Sequence, residues 1–468
     1  MSPLEAAVVG VALVIGVIQR WQVVNGPLGY IDLDEATAGI AAKNFFTNPS
    51  VFFPAQPYGG TPESFLVGVV HLIFGSGPLQ LKVTAAVLHL VACGFVWGAA
   101  RRIIPGRAGQ LAAPILLWLG PAAGVWESTK ERGFYGAAIV AAAVLIWLAA
   151  RIDERETARD VIAFGVVAGV GWWISPLLVF VAVPAVVWLL IRDPGRMNLG
   201  PVVVPAAIVG ALPWLGWNLF NGLASLRQPP SLGTSLFTRF GQGLAKVAVL
   251  TGLETPWNPA RVLVPGARTV AVALVVVAVV VSFIRHPGTG ASLSGALVVG
   301  YLLMYPLANN TGTVGADPRY FYPLLPALAL VMAGLVPDTW SPMSVTTRTV
   351  AVMVVAATMT AWGLAGLDEI RTKDVRFLEA PGTTEMIRLL EKERVAFVIS
   401  DLAGAQITYA TDGRIKASSF AVPRFPEFEQ MMAVPQASTY VIDDALAGNA
   451  SKLEWYLASN EIPYVRHR

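Results

Sequence analysis

The feature that most limits this chain is the succession of long apolar stretches recurring from residue 4 to residue 366. Runs of some 16–22 apolar residues are long enough to cross the ~30 Å hydrocarbon core as helices. Composition agrees. Aliphatic, aromatic and Cys residues make up 55% of the 468 positions and charged residues only 13%, where a soluble domain carries about a quarter. The expected fold class is an all-α polytopic membrane protein. Its candidate spans are 4–18, 79–100, 109–126, 134–150, 160–174, 177–191, 201–219, 268–284, 292–308, 320–337 and 348–366, about eleven in all. The first run is followed by Gln19, Arg20 and Trp21, not by a small-residue cleavage site, and so reads as a retained helix. Residues 65–74 are too short to span and read as an interfacial or re-entrant piece.

Arginine placement gives the orientation. Arg101, Arg102 and Arg107, then Arg151, Arg155 and Arg159, then Arg192 and Arg196, and Arg285 each lie just beyond a span end. A cytoplasmic amino terminus puts all of them inside, as the positive-inside rule requires. The same assignment collects the polar features on the outer face: loop 26–64, loop 127–133, segment 220–266, loop 309–319 and everything after residue 366. A transporter is expected to expose polar machinery on both faces or at mid-membrane, and here the inner loops are short. Cys93 is the sole cysteine, which excludes an internal disulfide or a Cys-based zinc site. His71, His89, His286 and His467 have no metal-ligand spacing. The net charge of +3 rests on dispersed arginines and does not indicate nucleic acid.

Residues 367–468 hold 15 of the 30 acids and no run able to span. An amphipathic helix over 385–394, strands over 395–400 and 439–443 and a closing helix over 453–459 predict a small α/β domain. It lacks a Gly-rich phosphate loop. The domains are therefore 1–366, with the outer loop 26–78, and 367–468.

Three motifs stand on the outer face: Asp34-Glu35 opening a helix over 35–46 after the first span, residues 58–64 (YGGTPES) before Phe74-Gly75, and residues 317–326 (DPRYFYPLLP). Together they resemble the GT-C membrane glycosyltransferases, the group of protein O-mannosyltransferases and aminoarabinose transferases (glycosyltransferase family 39 and relatives). The layout is similar over residues 1–340. The sequence departs from the aminoarabinose branch at Gly59 to Glu63, where that branch has an acid-Lys-Pro. The tail resembles a domain of bacterial members through Ser400-Asp401, residues 407–409 and residues 414–418.

The resemblance implies transfer of one sugar from a polyprenyl phosphate to an acceptor at the outer face of a bacterial cytoplasmic membrane. The acceptor is a cell-envelope glycan, a lipid or a protein. The catalytic acid pair would be Asp34 and Glu35, with Asp34 as general base or as cap of its helix. Arg319, Tyr320, Lys130 and Arg132 would take the donor phosphate, since a guanidinium forks onto phosphate oxygens. Asp32, Tyr58, Glu63, Glu127 and Glu131 would bind substrate. Arg20 and Arg268 read as helix-end anchors, and Trp172, Trp173, Trp214 and Trp217 as an aromatic belt. No cofactor is expected to be required. Asp32, Asp34 and Glu35 offer oxygen ligands to Mg²⁺, Mn²⁺ or Ca²⁺, but neighbouring side chains on a helix diverge. Two other classes stay open: a polyprenyl-sugar or lipid transporter, and a non-catalytic subunit that binds a partner.

The orientation makes a testable statement. In a Cys93→Ala background, Asp401→Cys is expected to react with a membrane-impermeant maleimide in intact cells. Labelling only after permeabilisation would contradict both the span count and the outer placement of the tail.

Overall fold

We describe the protein from a computed structural model that covers residues 1–227, 235–256, 262, 265–284, 290–307, 317–336, 383–400, 404–419, 424–425, 439–441 and 447–459. The expected span 348–366 and the domain boundary at 366/367 lie outside the described residues.

The membrane part opens with α1 (Pro3–Val24), capped by Ser2 and Glu5 in a reciprocal box, and α2 (Leu33–Asn44). A short hairpin, β1 (Phe52–Phe53) with β2 (Gln56–Gly60), follows. It leads to α3 (Pro62–Phe74), whose 13 residues fall short of a span, as expected for 65–74. Then come α4 (Pro78–Ile103), α5 (Arg107–Leu119), α6 (Ala122–Glu127), α7 (Tyr135–Glu154) and α8 (Ala158–Ile174). They are followed by α9 (Val179–Arg192), α10 (Gly200–Gly210) and α11 (Leu212–Phe220). The last are α12 (Leu236–Leu250), α13 (Ala267–Ile284), α14 (Ser292–Met304) and α15 (Leu325–Ala333).

Among the described residues, four helices cross a membrane by length and apolarity on their own: α1, α4, α7 and α13. Three expected spans are broken instead. The run 109–126 stops at Leu119 and restarts at Ala122, because Pro121 supplies no N–H to continue the ladder. The run 201–219 bends by 63° between α10 and α11. The span expected over 320–337 opens as a tight 3₁₀ stretch, Pro318–Leu324, before α15. Segment 220–266, expected as an outer loop, contains α12, an amphipathic helix whose cap is the Ser235 hydroxyl on the Thr238 N–H.

Alanine-rich α7 is the buried centre of the bundle, packed by α4, α8 and α9. Small side chains let neighbours approach closely, the usual solution inside a bilayer. At α8 and α10 a Cβ on Gly169 would fall 1.9 Å from the Ala207 carbonyl oxygen, and one on Gly210 2.2 Å from that of Val166.

Arg20 does not anchor the end of α1 at the interface. Its side chain is buried, Nη1 donates to the Gly16 and Trp118 carbonyls at 3.0 Å each, and the guanidinium stacks on Trp118 at 3.6 Å. The indole face and the two carbonyls stand in for part of the water this charge would hold, while Nε and Nη2 have no hydrogen-bond partner among the described residues. Arg268 is largely exposed and pairs with Glu254 at 2.9 Å.

The tail is α/β, as expected. It comprises α16 (Thr383–Lys392), β3 (Phe397–Ser400), α17 (Gly404–Ala410), β4 (Lys416–Ser419), β5 (Thr439–Val441) and α18 (Ala447–Ser459). The strands form a parallel sheet in the order β4-β3-β5. Here α17 and β4 were not expected as elements. Their runs are too short and too polar to show a period.

Candidate functional site

The site is built from the first turn of α2. Asp32 ends the preceding extended segment and accepts the Glu35 N–H at 2.9 Å, while Glu35 Oε2 accepts the Asp32 N–H at 3.2 Å. This reciprocal box satisfies two N–H groups that the helix cannot. The cap is thus Asp32, not Asp34. Successive residues project about 100° apart around a helix, so the two adjacent acids face different surroundings.

Glu35 faces inward and is fully buried. The Lys82 ammonium pairs with Oε1, and Lys130 Nζ pairs with Oε2 at 2.8 Å. Lys130 also donates to the Tyr30 carbonyl at 2.6 Å and lies 4.0 Å over the Tyr30 ring. Beside them Arg132 reaches Asp32 at 2.9 Å and both oxygens of Glu127 at 2.9 and 3.1 Å. Burial pushes the Asp32 carboxyl upward, but Arg132 and Lys130 outweigh it and hold the group below the usual carboxylate range. The chemistry expected of Glu35, and the phosphate contact expected of Lys130 and Arg132, therefore meet an obstacle of position. These side chains pair with one another in a buried layer under α2, as does Glu127. Lys82, at the start of α4, belongs to this layer and carries no sequence signal beyond being a lysine near a helix start.

Asp34 faces outward and keeps company of another kind. Arg319 Nη1 reaches its Oδ2 at 2.7 Å, and Arg424 Nη2, from the tail domain, reaches its Oδ1 at 2.6 Å. Arg319 is further held by Asp317 at 3.0 Å and by the Tyr320 hydroxyl at 3.3 Å, with the Tyr135 ring 5.8 Å away. The Asp317 side chain also caps the 3₁₀ turn through the Arg319 N–H at 3.0 Å. The Gln56 amide, turned with its oxygen towards Arg424, accepts from that guanidinium at 2.6 and 3.1 Å. Tyr58 packs edge-on against Phe134 beside Tyr320, Asp34 and both arginines, and burial pushes its hydroxyl up to about 12. Lys246 on α12 is half-buried near Glu254 and Asp317, and burial lowers its ammonium below the usual lysine range. Of the expected residues, the structure brings Asp34, Arg319, Tyr320 and Tyr58 together. The sequence reading missed Arg424 and Lys246. A more helical reading of 235–250 would have drawn attention to the second.

Glu63 and Glu131 form a separate pair below the loop. Both are fully buried, and Glu63 Oε2 accepts the Ala137 N–H at 2.7 Å in the first turn of α7. Glu63 Oε1 and Glu131 Oε2 lie towards each other's carboxyl group, and the Gly136 N–H is also directed at Glu63. Burial raises both carboxyls, Glu131 further through its proximity to Glu63. This arrangement predicts one proton shared by the pair. The oxygen ligands expected of Asp32, Asp34 and Glu35 are each turned to Arg or Lys. Among the described residues no group of three His, Cys, Asp or Glu is arranged to hold a metal ion.

A family model described as dolichyl-phosphate-mannose-protein mannosyltransferase matches residues 63–217. No curated protein sequence matches the chain. Among solved structures, ArnT from Cupriavidus metallidurans bound to undecaprenyl phosphate aligns over 99% of this chain and 96% of that one. The TM-score is 0.62 and the identity 14%. ArnT from the same organism in the apo state aligns over 95% and 94%, again with a TM-score of 0.62 and 14% identity. The chain is a multi-pass membrane protein with the GT-C fold, as the three sequence motifs led us to expect.

The Glu63–Glu131 pair makes a pH prediction. Groups whose folded pKa is raised bind more protons in the folded state, so stability falls as pH rises above the ordinary glutamate value. Thermal unfolding in detergent is expected to shift downward from pH 5 to pH 8, and Glu131→Gln is expected to flatten that slope and raise the midpoint at pH 8. A slope unchanged by Glu131→Gln would exclude the shared proton.

Proposed function

We propose that this chain of the GT-C fold is a glycosyltransferase that moves one sugar from a polyprenyl phosphate to a hydroxyl of a cell-envelope glycan, lipid or protein. We place the reaction at the outer face of a bacterial cytoplasmic membrane, with the tail domain on that side. The observation that carries the proposal is the Asp34–Arg319 contact. It sets a carboxylate and a guanidinium side by side on helix ends where the membrane domain meets the outer polar loops. The fold shared with ArnT, a structure of which holds undecaprenyl phosphate, and the mannosyltransferase family model support the substrate class.

In this reading the acceptor oxygen attacks the anomeric carbon while Asp34 takes its proton. The new C–O bond forms as the bond from the anomeric carbon to phosphate oxygen breaks, and the electron pair leaves on the phosphate. Arg319 stabilises the charge that grows there, the kind of pre-aimed electrostatic contact that contributes most to catalysis. Tyr320 and Asp317 hold the guanidinium in place. Tyr58 and Tyr135 offer ring faces and hydroxyls to the sugar. The donor arrives already activated, so the reaction is written without nucleotide and without a required cofactor or divalent cation. Lys82, Lys130, Arg132, Glu35 and Glu127 act through α2, by fixing the direction of Asp34.

Asp34→Asn keeps the shape of the side chain and leaves the Asp32 cap intact. Single-turnover transfer from a radiolabelled prenyl-phosphate sugar is expected to fall by roughly 10²-fold or more, the range for losing a general base, while donor binding is retained. Near-normal transfer by Asp34→Asn would remove the base assignment. Arg319→Lys is expected to slow transfer as well, because an ammonium cannot reproduce the two-pronged contact.

A further inference from the structure

Arg424 comes from the tail domain, and its presence beside Asp34 depends on how that domain sits on α2. Helix α17 lies on the α2 face formed by Ala36, Gly39 and Ile40, with Ala405, Tyr409 and Phe425 packed against it. The fit is tight at one point: a Cβ on Gly39 would fall 2.2 Å from the Tyr409 ring. Lys43 pairs with Asp412 at 2.5 Å at the rim of the same contact and lies 4.8 Å over the Tyr409 ring. Arg424 then follows β4 and enters the site with its side chain largely buried.

The charges in the site are unevenly matched. One carboxylate, Asp34, serves two guanidiniums. Arg319 has a second acid, Asp317, at 3.0 Å, whereas Arg424 has only the neutral Gln56 amide besides Asp34 among the described residues. A carboxylate bridging two forks presents oxygen acceptors much as a phosphate does. An anion of higher charge entering from the membrane side competes for both forks, and Arg319 keeps Asp317 when it lets Asp34 go.

From this arrangement we infer that the tail domain is part of the reaction centre. By docking on α2 it delivers Arg424, which with Arg319 forms a guanidinium pair that Asp34 bridges and that a prenyl-phosphate headgroup takes over. The exchange frees Asp34 to accept the proton of the acceptor hydroxyl, so donor binding and base release are one event. The inference rests on the proposed transfer reaction for its substrate class, and its first measurement is independent of turnover.

The test uses the full-length protein in detergent, with undecaprenyl phosphate as the probe and undecaprenol and inorganic phosphate as controls. Arg424→Ala is expected to weaken undecaprenyl phosphate by about 10- to 100-fold, the range for losing a hydrogen bond to a charged group, and to leave undecaprenol unaffected. Gly39→Leu, which lifts α17 without altering Asp34, Arg319 or Arg424 themselves, is expected to give a loss of the same size. Arg424→Lys should recover part of it. Asp34→Asn should bind undecaprenyl phosphate more tightly than the unaltered protein, because the competitor for the pair has lost its charge. With a prenyl-phosphate sugar, Arg424→Ala is expected to raise KM by more than it lowers kcat. Unaltered protein that binds undecaprenyl phosphate, together with Arg424→Ala and Gly39→Leu proteins that bind it equally well, would overturn this inference alone. Unaltered protein that binds no undecaprenyl phosphate would overturn the functional reading with it. A site that takes inorganic phosphate as tightly as the prenyl ester would be a free-anion site, and would also overturn the assignment.

Discussion

The arrangement around the first turn of α2 depends on the burial of Glu35 between two lysines. A carboxylate in a dry layer is tolerable only when its charge is matched and its oxygens are occupied. Lys82 from α4 and Lys130 from the loop after α6 meet both conditions. The contact joins three parts of the chain that are distant in sequence, and it fixes the rotation of α2 about its axis. With Glu35 held inward, helix geometry leaves Asp34 facing Arg319 and Arg424. Removing one partner of such a layer typically costs about 3–5 kcal/mol, because the other charges stay buried and unmatched. In the proposed reaction the residues beneath α2 act as supports that set the aim of one side chain.

Much of this was legible in the sequence, for physical reasons that can be named. Helical spans announce themselves because a bilayer demands long apolar runs. The acid pair and the Asp-Pro-Arg-Tyr turn stood out because charges beside a membrane are costly without a purpose. Sequence could place Asp34 and Glu35 together but could not say which faced the lysines. That depends on the rotation of α2, which is set by residues 47 and 95 positions away. The same limit explains Lys130 and Arg132, which read as cations at an outer helix end and proved to be counterions of buried acids. Arg20 read as an interfacial anchor because no local pattern records the Trp118 ring that covers it.

Arg424 was the least legible residue of the site. It lies in a domain whose strands are three to four residues long, 390 positions from the carboxylate it touches. Nothing near it in the sequence marks it as more than a surface arginine. Its role emerges only from the docking of α17 on α2, where Gly39 leaves room for Tyr409. The fold therefore divides the work. The membrane part supplies Asp34 and Arg319 from helix ends, and the tail contributes a second guanidinium.

The measurement that bears most directly on this account is a cryo-electron microscopy structure of the protein with an unhydrolysed prenyl-phosphate sugar. The account predicts phosphate oxygens within hydrogen-bonding distance of both Arg319 and Arg424, and Asp34 detached from Arg424 and facing the anomeric carbon from the side opposite the phosphate. A donor phosphate seated elsewhere, with the Asp34–Arg319 and Asp34–Arg424 pairs intact, would contradict it.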